Sequence, residues 1–388
     1  MPADLSVFMV GLARCESYDR GEVEAAVALA VERAGGLPPF DCDEVLIKAN
    51  LLSPSPPERA VTTHPEVLRA LVGEARAAKG DDSLRVRIAD SPGYLFTDAS
   101  QLLERTGVGV LASLAGVSVG LLSEQGYRAV RSDSFRALEE ARIAIRYLDA
   151  PFCINAAKLK THVETEMTGC IKNIFGTADT DTRKRSHRSV SKKRLADAIS
   201  DLYGIRPPEF HVIDAVYGME GDGPSHGRPR KVGWIIASRN ALAADWVGSV
   251  IMNYENPAEI PLIESAVERG LGPQGRFDIA LSGAGWAELP VKDFKRSTNM
   301  VRLLPVFLRG FVHGLVSVKP ELCRPECIKC GICRKVCPVD AIHDSSGYPS
   351  IDGKLCVRCL CCCEMCPPGA MKPRKNLLAS LLSRLRER

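Results

Sequence analysis

Eight cysteines near the C-terminal end recur in two runs of identical spacing. The runs are Cys327, Cys330, Cys333 and Cys337 followed by Pro338, and Cys356, Cys359, Cys362 and Cys366 followed by Pro367. Each reads Cys-x2-Cys-x2-Cys-x3-Cys-Pro, a spacing with which proteins hold a pair of [4Fe–4S] clusters. Three thiolates on one tight turn can bind three irons of one cube, whereas the fourth cysteine of each run binds the other cluster. The spacing therefore predicts two [4Fe–4S] clusters, with these eight cysteines as metal ligands.

Two other uses of the cysteines are open. Zinc would be satisfied by four ligands, although two identical runs of four match a pair of cubes better. A disulfide framework needs an oxidising compartment, and residues 1–15 show no charged segment followed by an apolar stretch and a cleavage site. On the cluster assignment, one cube is held by Cys327, Cys330, Cys333 and Cys366, and the other by Cys356, Cys359, Cys362 and Cys337. Cys323, Cys361 and Cys363 fall outside the spacing, and we expect them to pack around the clusters.

The densest group of polar side chains lies between residues 152 and 176. Six of them could meet a ligand: Asn155, Lys158, Lys160, His162, Lys172 and Asn173. Lysines bind anions as compact charges, and a helix starting near Thr168–Gly169 would add free N–H groups. A histidine titrates near neutral pH and can give or take a proton. We expect three catalytic residues, His162, Lys160 and Lys172. We expect Asn155, Lys158 and Asn173 to bind the substrate.

The elements that must position these side chains alternate in type. The first 290 residues switch between strand-like and helix-like stretches, which predicts a layered α/β domain with mostly parallel strands. Lys48 and Asn50 follow the buried stretch Val45–Ile47, and Asp90 follows Leu84–Ala89. Ligand sites of open α/β sheets form at the carboxyl ends of the strands. We therefore add Lys48, Asn50 and Asp90 to the expected substrate site.

A glycine-rich turn, Gly218–Pro224, follows the predicted strand Phe210–Ala215 and presents Glu220 and Asp222. Its glycines let the backbone turn tightly. The two carboxylates could orient the lysines or bind a cation, so we include both in the substrate site. A plain acidic turn is the alternative.

The patterns divide the chain into four segments. These are an α/β domain over 1–290, a linker over 291–320, a small two-cluster α+β module over 321–372 and a basic amphipathic helix over 373–388. The last segment places leucines at helical spacing opposite arginines. We expect it to pack onto the linker or the module, with a membrane-surface contact as the alternative.

Charge and hydropathy exclude several classes of protein. The formal net charge of +4 is carried by the tail after residue 372, so the global charge gives no argument for nucleic acid. The basic run Arg183–Arg194 could form a loop that meets phosphate or closes over an anionic substrate. It has no interleaved aromatic residues for base stacking, so nucleic acid is not an expected partner. No apolar run reaches about 18 residues, so we expect no transmembrane segment and a cytoplasmic location.

Several segments together resemble a known family. They are Asn155–His162 (Asn-Ala-Ala-Lys-Leu-Lys-Thr-His), Gly169–Gly176 (Gly-Cys-Ile-Lys-Asn-Ile-Phe-Gly), the turn Gly218–Pro224 and the cysteine module. The combination, which spans Val7–Met371, resembles the domain of unknown function 362 family. The resemblance implies an iron–sulfur cluster-binding protein with a C-terminal bacterial-type ferredoxin module, and it carries over the eight cluster ligands. It implies no catalytic mechanism.

The fusion of a ferredoxin-like module to a large domain favours electron delivery within one chain, because tethering raises the concentration of donor near acceptor. We expect a [4Fe–4S]-dependent oxidoreductase that passes single electrons to a small anionic substrate in the α/β domain. An external low-potential donor of the ferredoxin or flavodoxin type would load the clusters. A homo-oligomer is compatible with the sequence. The alternative function is a non-catalytic electron-transfer or assembly protein that acts on a protein partner.

Overall fold

A nine-stranded sheet forms the centre of the α/β domain in the computed structural model, which describes residues 7–93, 98–188, 191–297 and 318–375. The strands of this domain are β1 (Phe8–Arg14), β2 (Glu44–Lys48), β3 (Arg85–Asp90), β4 (Val117–Leu121), β5 (Tyr127–Val130), β6 (Ala141–Ala144), β7 (Cys153–His162), β8 (Glu166–Thr168), β9 (Phe210–Glu220), β10 (Arg228–Ser238) and β11 (Ile279–Ser282). The helices are α1 (Arg20–Arg33), α2 (Pro65–Lys79), α3 (Ala99–Arg105), α4 (Ile145–Leu148), α5 (Cys170–Asn173), α6 (Thr180–Ser186), α7 (Lys192–Ile205), α8 (Ala241–Ile251) and α9 (Pro261–Glu268). Strands β5 and β6 pair with each other outside the sheet.

The strand order across the sheet is β11-β1-β10-β9-β7-β2-β3-β4, with β8 paired to β7. Strand β2 is parallel to both β3 and β7, and the pairs β3/β4, β7/β9 and β1/β11 are also parallel. Strand β10 is antiparallel to β1 and β9, and β8 is antiparallel to β7. This mixed but mostly parallel sheet confirms the predicted α/β class.

Helix α2 shows how local sequence defines an element. The ring nitrogen Nδ1 of His64 accepts a hydrogen bond from the Glu66 N–H at 3.2 Å and so caps the helix, while Pro65 occupies the first turn, where no N–H is needed. Gly80 ends the helix with a positive φ of 69°, which glycine adopts without steric cost. The residues between them bury one apolar face.

Two hydrophobic clusters cover the two faces of the sheet. Helices α1 and α2 contribute to one cluster, and α7, α8 and α9 contribute to the other. Along β2, Val45 and Ile47 belong to the first cluster and Leu46 to the second, because successive side chains of a strand point to opposite faces. With both faces covered, ligands reach such a sheet at the ends of its strands.

The strand order reverses between β2 and β7. From β2 the chain proceeds outward to β3 and β4, whereas β7 and β9 extend the sheet in the other direction. Lys48 at the end of β2 lies beside Asn155 of β7 in the parallel register. Such a reversal opens a crevice outside the carboxyl ends of the two strands. The predicted polar residues of β2 and β7 therefore converge at this crevice.

The C-terminal module contains two short helices and two strand pairs. Its elements are β12 (Val318–Leu322), α10 (Ile332–Lys335), β13 (Ile342–Ser345), β14 (Tyr348–Ile351), α11 (Cys361–Glu364) and β15 (Met371–Lys375). Strand β12 pairs with β15 and β13 pairs with β14, both antiparallel. Strand β12 begins in the segment expected as linker, and β15 ends in the segment expected as the C-terminal helix. The expected linker residues 298–317 and the expected helix from 376 onward lie outside the described residues. Among the residues that the structure describes, no helix is long and apolar enough to cross a bilayer.

Candidate functional site

A buried polar network joins the ends of β2 and β3 to Asn155, near the start of β7. Lys48 Nζ lies 2.6 Å from Asp90 Oδ1 and donates to the Ala49 carbonyl at 2.8 Å. Asn173 Nδ2 donates to Asn155 Oδ1 at 2.8 Å, and Asn173 Oδ1 accepts from Asn50 Nδ2 at 2.9 Å. All of these side chains are buried. Because buried polar groups that satisfy one another have few alternative positions, the network fixes the geometry of the crevice.

Lys160 extends this network toward the open side of the crevice. Its Nζ donates to Asn50 Oδ1 at 2.9 Å and to the Val61 carbonyl at 2.7 Å. Burial, followed by the positive charges of Lys172 and Lys158, lowers the pKa of Lys160 to about 7. Its side chain therefore exchanges between the charged and neutral forms near neutral pH.

Six of the predicted residues line a single cavity of about 80 Å³, namely Asn50, Asp90, Lys160, His162, Lys172 and Asn173. One water molecule needs roughly 10–15 Å³ of such volume, so the cavity holds several waters or a ligand of a few heavy atoms. Lys48 and Asn155 support the wall through the network described above. The structure thus brings together most of the lysines and asparagines singled out in the sequence.

His162 lines the cavity, and its two ring nitrogens have different neighbours. Its Nδ1 accepts hydrogen bonds from the Glu164 N–H at 3.1 Å and the Thr165 N–H at 3.3 Å. A neutral imidazole whose Nδ1 accepts must carry its proton on Nε2. Nε2 lies 3.5 Å from Glu364 Oε1. Burial and then the neighbouring Glu164 charge raise the pKa of Glu364 to about 8.

Helix α5, which carries Lys172 and Asn173, is held by Asp245 of α8. The carboxylate accepts hydrogen bonds from the Cys170 N–H at 2.5 Å and the Ile171 N–H at 3.0 Å, so it satisfies the first N–H groups of the helix. Burial raises the pKa of Asp245 to about 7. A Cβ atom at Gly169 would lie 2.1 Å from Asp245 Oδ1, which explains a glycine at this position. Asp245 therefore fixes the helix that carries Lys172, although Asp245 itself does not line the cavity.

The structure does not place Lys158 in the cavity. Lys158 Nζ lies 2.9 Å from Asp214 Oδ2 and donates to the Tyr18 hydroxyl at 2.6 Å. Both members of the ion pair are buried. The physical reason is the irregular pairing of β7 with β9 between residues 158 and 160, which separates the surroundings of the two lysines. We therefore correct the role of Lys158 from substrate binding to a buried structural pair with Asp214.

The acidic turn reaches the cavity through Pro224 but not through its two carboxylates. Glu220 accepts a hydrogen bond from the Lys295 backbone N–H at 3.0 Å, and Asp222 is exposed at the turn. Neither carboxylate lines the cavity, because Glu220 is bound to the Lys295 backbone and Asp222 is exposed to solvent. The expectation that these carboxylates orient the lysines is replaced by a local structural role for Glu220.

The basic run Arg183–Arg194 forms helical structure in its described part. Arg183 lies in α6, is buried, and donates to the Pro92 carbonyl at 2.9 Å. Arg188 donates to the Pro338 carbonyl of the module at 3.2 Å. These basic residues therefore connect parts of the chain. The run that was considered as a loop over the substrate belongs to the end of α6 and the start of α7, and Arg183 and His187 of this run line the cavity.

Three charged or titratable residues that line the cavity were absent from the predicted site: Arg183, His187 and Glu364. Arg183 and His187 belong to the basic run, which was considered as a loop over the substrate, although neither residue was named in the predicted site. Glu364 lies between two cysteines of the second run. A single carboxylate inside a cysteine run was the available signal, since the first run contains none.

The module contacts the α/β domain at the mouth of this cavity. Glu364 and Met365 form part of the cavity wall, and both lie between Cys362 and Cys366. His226 Nε2 donates to the Cys363 carbonyl at 2.8 Å. A Cβ atom at Gly93 would lie 2.5 Å from the methyl carbon of Met365, so the two surfaces are in close contact. The cysteine runs are thereby positioned against the polar crevice.

The cysteines of the module fit iron–sulfur ligation. Cys327, Cys330, Cys333 and Cys366 line one cavity of about 340 Å³, as the crossed arrangement of the two runs predicts. Backbone N–H groups donate to sulfur at Cys337, from Ala341 at 3.2 Å, and at Cys366, from Met371 at 3.4 Å. Such hydrogen bonds stabilise thiolate sulfur and tune cluster potentials. All eight cysteines are free thiols.

The spacing of the sulfur atoms also bears on zinc. Zinc bound to thiolates at about 2.3 Å brings sulfur atoms within about 3.8 Å of one another. Within the described parts of the chain, no three of the eight motif sulfurs lie within 4.8 Å of one another.

Comparison with known sequences identifies both parts of the chain. Residues 45–249, more than half of the chain, match the family described as "Domain of unknown function (DUF362)". The chain belongs to the DUF362 family. Residues 326–343 match the 4Fe-4S binding domain, which identifies the module of this DUF362 protein as a [4Fe–4S]-binding domain. Both matches confirm the resemblance drawn from the sequence.

Relatives add little about activity. The DUF362 chain is 32% identical to a thylakoid-associated protein from Synechocystis sp., over 68% of this chain and 80% of that protein. A crystal structure of a protein from Thermotoga maritima aligns over 60% of this chain and 58% of its own, with 13% identity and a TM-score of 0.39. The lactate racemase apoprotein from Thermoanaerobacterium thermosaccharolyticum aligns over 61% of this chain and 54% of its own, with 12% identity and a TM-score of 0.39. The chain thus spans little more than half of either solved structure, and neither likeness carries an argument.

Proposed function

We propose that the protein is an iron–sulfur oxidoreductase, a [4Fe–4S]-dependent reductase, that binds two clusters and passes single electrons to a small anionic ligand in the crevice cavity. The observation that carries the proposal is the shared wall: Glu364 and Met365, which lie between two cluster cysteines, line the same cavity as Lys160 and Lys172. Because the cluster-binding segment forms part of the cavity wall, an electron could pass from a cluster to a ligand in the cavity without further movement of the chain. The clusters would supply one electron at a time.

The chain's own residues divide the remaining work. Lys160 and Lys172 would hold the negative charge of the ligand, including charge that develops on reduction, as fixed groups in a site that excludes most water. His162 would hold a transferable proton at Nε2, since its Nδ1 is occupied by two backbone N–H groups. Asn50 and Asn173 would orient the ligand through the amide network. Asp90 would keep Lys48 charged and in place.

The size of the cavity limits the ligand. A volume of about 80 Å³ suits an oxyanion or a short carboxylate and is too small for a nucleotide or a dinucleotide. An external low-potential donor of the ferredoxin or flavodoxin type would deliver electrons to the module. Cys330 and the neighbouring Ile328 are exposed, so the first cysteine run is accessible to such a donor.

The test is to mix the chemically reduced protein under anaerobic conditions with nitrite, sulfite or pyruvate, three small anions of different chemistry. Oxidation of the clusters by each anion is monitored by their visible absorbance. At least one anion is expected to reoxidise the clusters. Replacement of Lys160 by methionine should slow this reaction about 100-fold or more, because a preorganised charge is lost from the site. The matched control is Lys231→Met, a half-exposed lysine paired with Glu16 on the surface, which should react like the wild type.

The non-catalytic alternative has one observation in its favour. The same exposed face around Ile328 and Cys330 is accessible to a protein acceptor as well as to a donor. If none of the three anions oxidises the clusters while a protein acceptor such as cytochrome c does, the reductase proposal fails and an electron-transfer protein is favoured. Iron content must be equal in all variants for either conclusion.

The anion reaction is expected to depend on pH through Lys160. Its pKa of about 7 means that the charged form dominates below pH 7 and is lost above it. An anion binds the charged form better, so its affinity should be constant well below pH 7 and fall up to about tenfold per pH unit above it. The concentration of anion for half-maximal reoxidation, measured from pH 6 to 9, reports this change. The Lys160→Met variant should lack the inflection near pH 7 and keep only a fall near pH 8, where Glu364 loses its proton and adds a negative charge to the cavity. An inflection near pH 7 in that variant would assign the titration to another group.

A further inference from the structure

A second group of ligand atoms meets at the contact between the domain and the module. Glu164 lies in the turn between β7 and β8, His187 directly follows α6, and Cys361 begins α11. One carboxylate oxygen, one ring nitrogen and the sulfur all lie within 4.8 Å of one another. Three separate elements therefore bring three different metal-binding atoms to one point.

Two of these atoms lack the hydrogen bonds that burial requires. The His187 side chain is 4% exposed and the Glu164 side chain 13%, and His187 Nδ1 lies 3.1 Å from Glu164 Oε2. Apart from this contact with each other, neither atom has a hydrogen-bond partner among the described residues. Buried polar atoms without partners are rare and costly. A cation between the two atoms would satisfy both.

The chemistry of the three atoms selects the class of ion. Magnesium and calcium prefer oxygen ligands, whereas imidazole, carboxylate and thiolate together suit zinc and related divalent transition metals. Two ligand atoms bound to a tetrahedral ion at about 2.1 Å lie about 3.4 Å apart. The observed separation of 3.1 Å between Nδ1 and Oε2 needs little adjustment to match this.

His162 and Glu364 also lie close to Glu164, and those three form an alternative set of ligand atoms. His162 is the weaker ligand, because its Nδ1 accepts two backbone hydrogen bonds and its Nε2 therefore retains the proton. A metal-bound imidazole nitrogen must offer a lone pair. The set that includes His187 and Cys361 is favoured for this reason.

We propose that Glu164, His187 and Cys361 bind one divalent transition-metal ion of the zinc class, with a fourth position open toward the cavity that His187 lines. Three protein ligands and one open position are typical of zinc sites that bind a further ligand. This site is independent of electron transfer, so it stands or falls separately from the proposed reductase activity. In the holoprotein its ion would lie beside the second cysteine run, because Cys361 precedes Cys362.

The experiment uses the full chain with its clusters loaded under anaerobic conditions. After loosely bound ions are removed with a chelator, the protein is titrated with Zn²⁺ and desalted, and zinc and iron are counted per chain. One zinc per chain is expected, with unchanged iron. X-ray absorption at the zinc edge, which the iron clusters do not obscure, should show one sulfur at about 2.3 Å and nitrogen or oxygen at about 2.0–2.2 Å.

Variants separate this site from the clusters. Glu164→Gln and His187→Gln should each weaken zinc binding at least tenfold at wild-type iron content, and Cys361→Ala should remove the sulfur from the zinc spectrum. Cys363→Ala, an equally buried neighbouring thiol outside the group, should bind zinc like the wild type. If Cys361→Ala also loses iron, the zinc affinities of Glu164→Gln and His187→Gln decide whether the proposed zinc site exists. The proposal is overturned if wild-type protein holds no zinc, if zinc displaces iron, or if Glu164→Gln and His187→Gln bind zinc normally.

Discussion

Replacing Cys362 by alanine is expected to remove one cluster and leave the other, so that iron falls from about eight to about four atoms per chain. Cys362 is the third cysteine of the second run, and the spacing assigns it to the cube that Cys337 completes. A cube bound by three thiolates has one iron without a protein ligand and is readily lost. Iron and sulfide analysis of anaerobically reconstituted protein measures the change, and electron paramagnetic resonance of the reduced protein should lose the coupling between two clusters.

The control residue, Cys363, lies next to Cys362 in the same helix. Cys363 is also buried, but it falls outside the repeated spacing, so Cys363→Ala should retain about eight irons. About eight irons in Cys362→Ala as well would contradict the assignment of Cys362 as a ligand. Equal loss from both would show that the helix tolerates no change there, and Cys337→Ala, which lies in the first run, would then test the same cube. Cys337→Ala should lose the cluster that Cys362→Ala loses.

Replacing Asp214 by alanine is expected to destabilise the α/β domain by about 3–5 kcal/mol, the cost typical of breaking a buried ion pair. Asp214 is fully buried and accepts from four groups: Lys158 Nζ at 2.9 Å, the Tyr18 hydroxyl at 2.8 Å, the His64 N–H at 2.9 Å and the Val216 N–H at 3.4 Å. Without it, a buried ammonium loses its counter-charge. Burial already lowers the pKa of Lys158, so part of the cost would be relieved by loss of its proton.

Thermal unfolding of the cluster-loaded protein, followed by tryptophan fluorescence, measures this effect as a fall of several degrees in the midpoint. The matched control is Asp149→Asn, which breaks the pair with Arg128, where both side chains are about half exposed. Exposed pairs contribute little, so its midpoint should equal that of the wild type. An Asp214→Ala midpoint as high as that of Asp149→Asn would mean that the Lys158 pair is not structural.

The two large effects test different parts of the molecule. The cysteine variant tests what the linear spacing assigns, and its outcome does not depend on the α/β domain. The Asp214 variant tests a pairing that connects residues 158 and 214 through neighbouring strands. If Cys362→Ala changes only the iron content and Asp214→Ala changes only the unfolding midpoint, the module and the domain can be altered independently.

Linear patterns alone predicted the α/β class, a [4Fe–4S]-binding module and most of the charged residues that line the cavity. The cysteine spacing is local, because three ligands of each cube lie within seven residues, and a turn of that length has few alternative geometries. Lys48, Asn50 and Asp90 could be predicted because the carboxyl ends of neighbouring parallel strands meet at one edge of a sheet. Asn173 and Lys160 followed from the density of polar side chains around them.

Only the tertiary structure decided which lysines face the ligand cavity and what closes it. Lys158 and Lys160 are two residues apart on one strand, yet an irregularity in the pairing of β7 with β9 gives one of them a buried carboxylate and the other an open crevice. Glu364 reaches the same crevice from a position about two hundred residues away in the chain. Contacts of this kind depend on how separately folded surfaces dock, and side-chain spacing along a chain carries no information about docking.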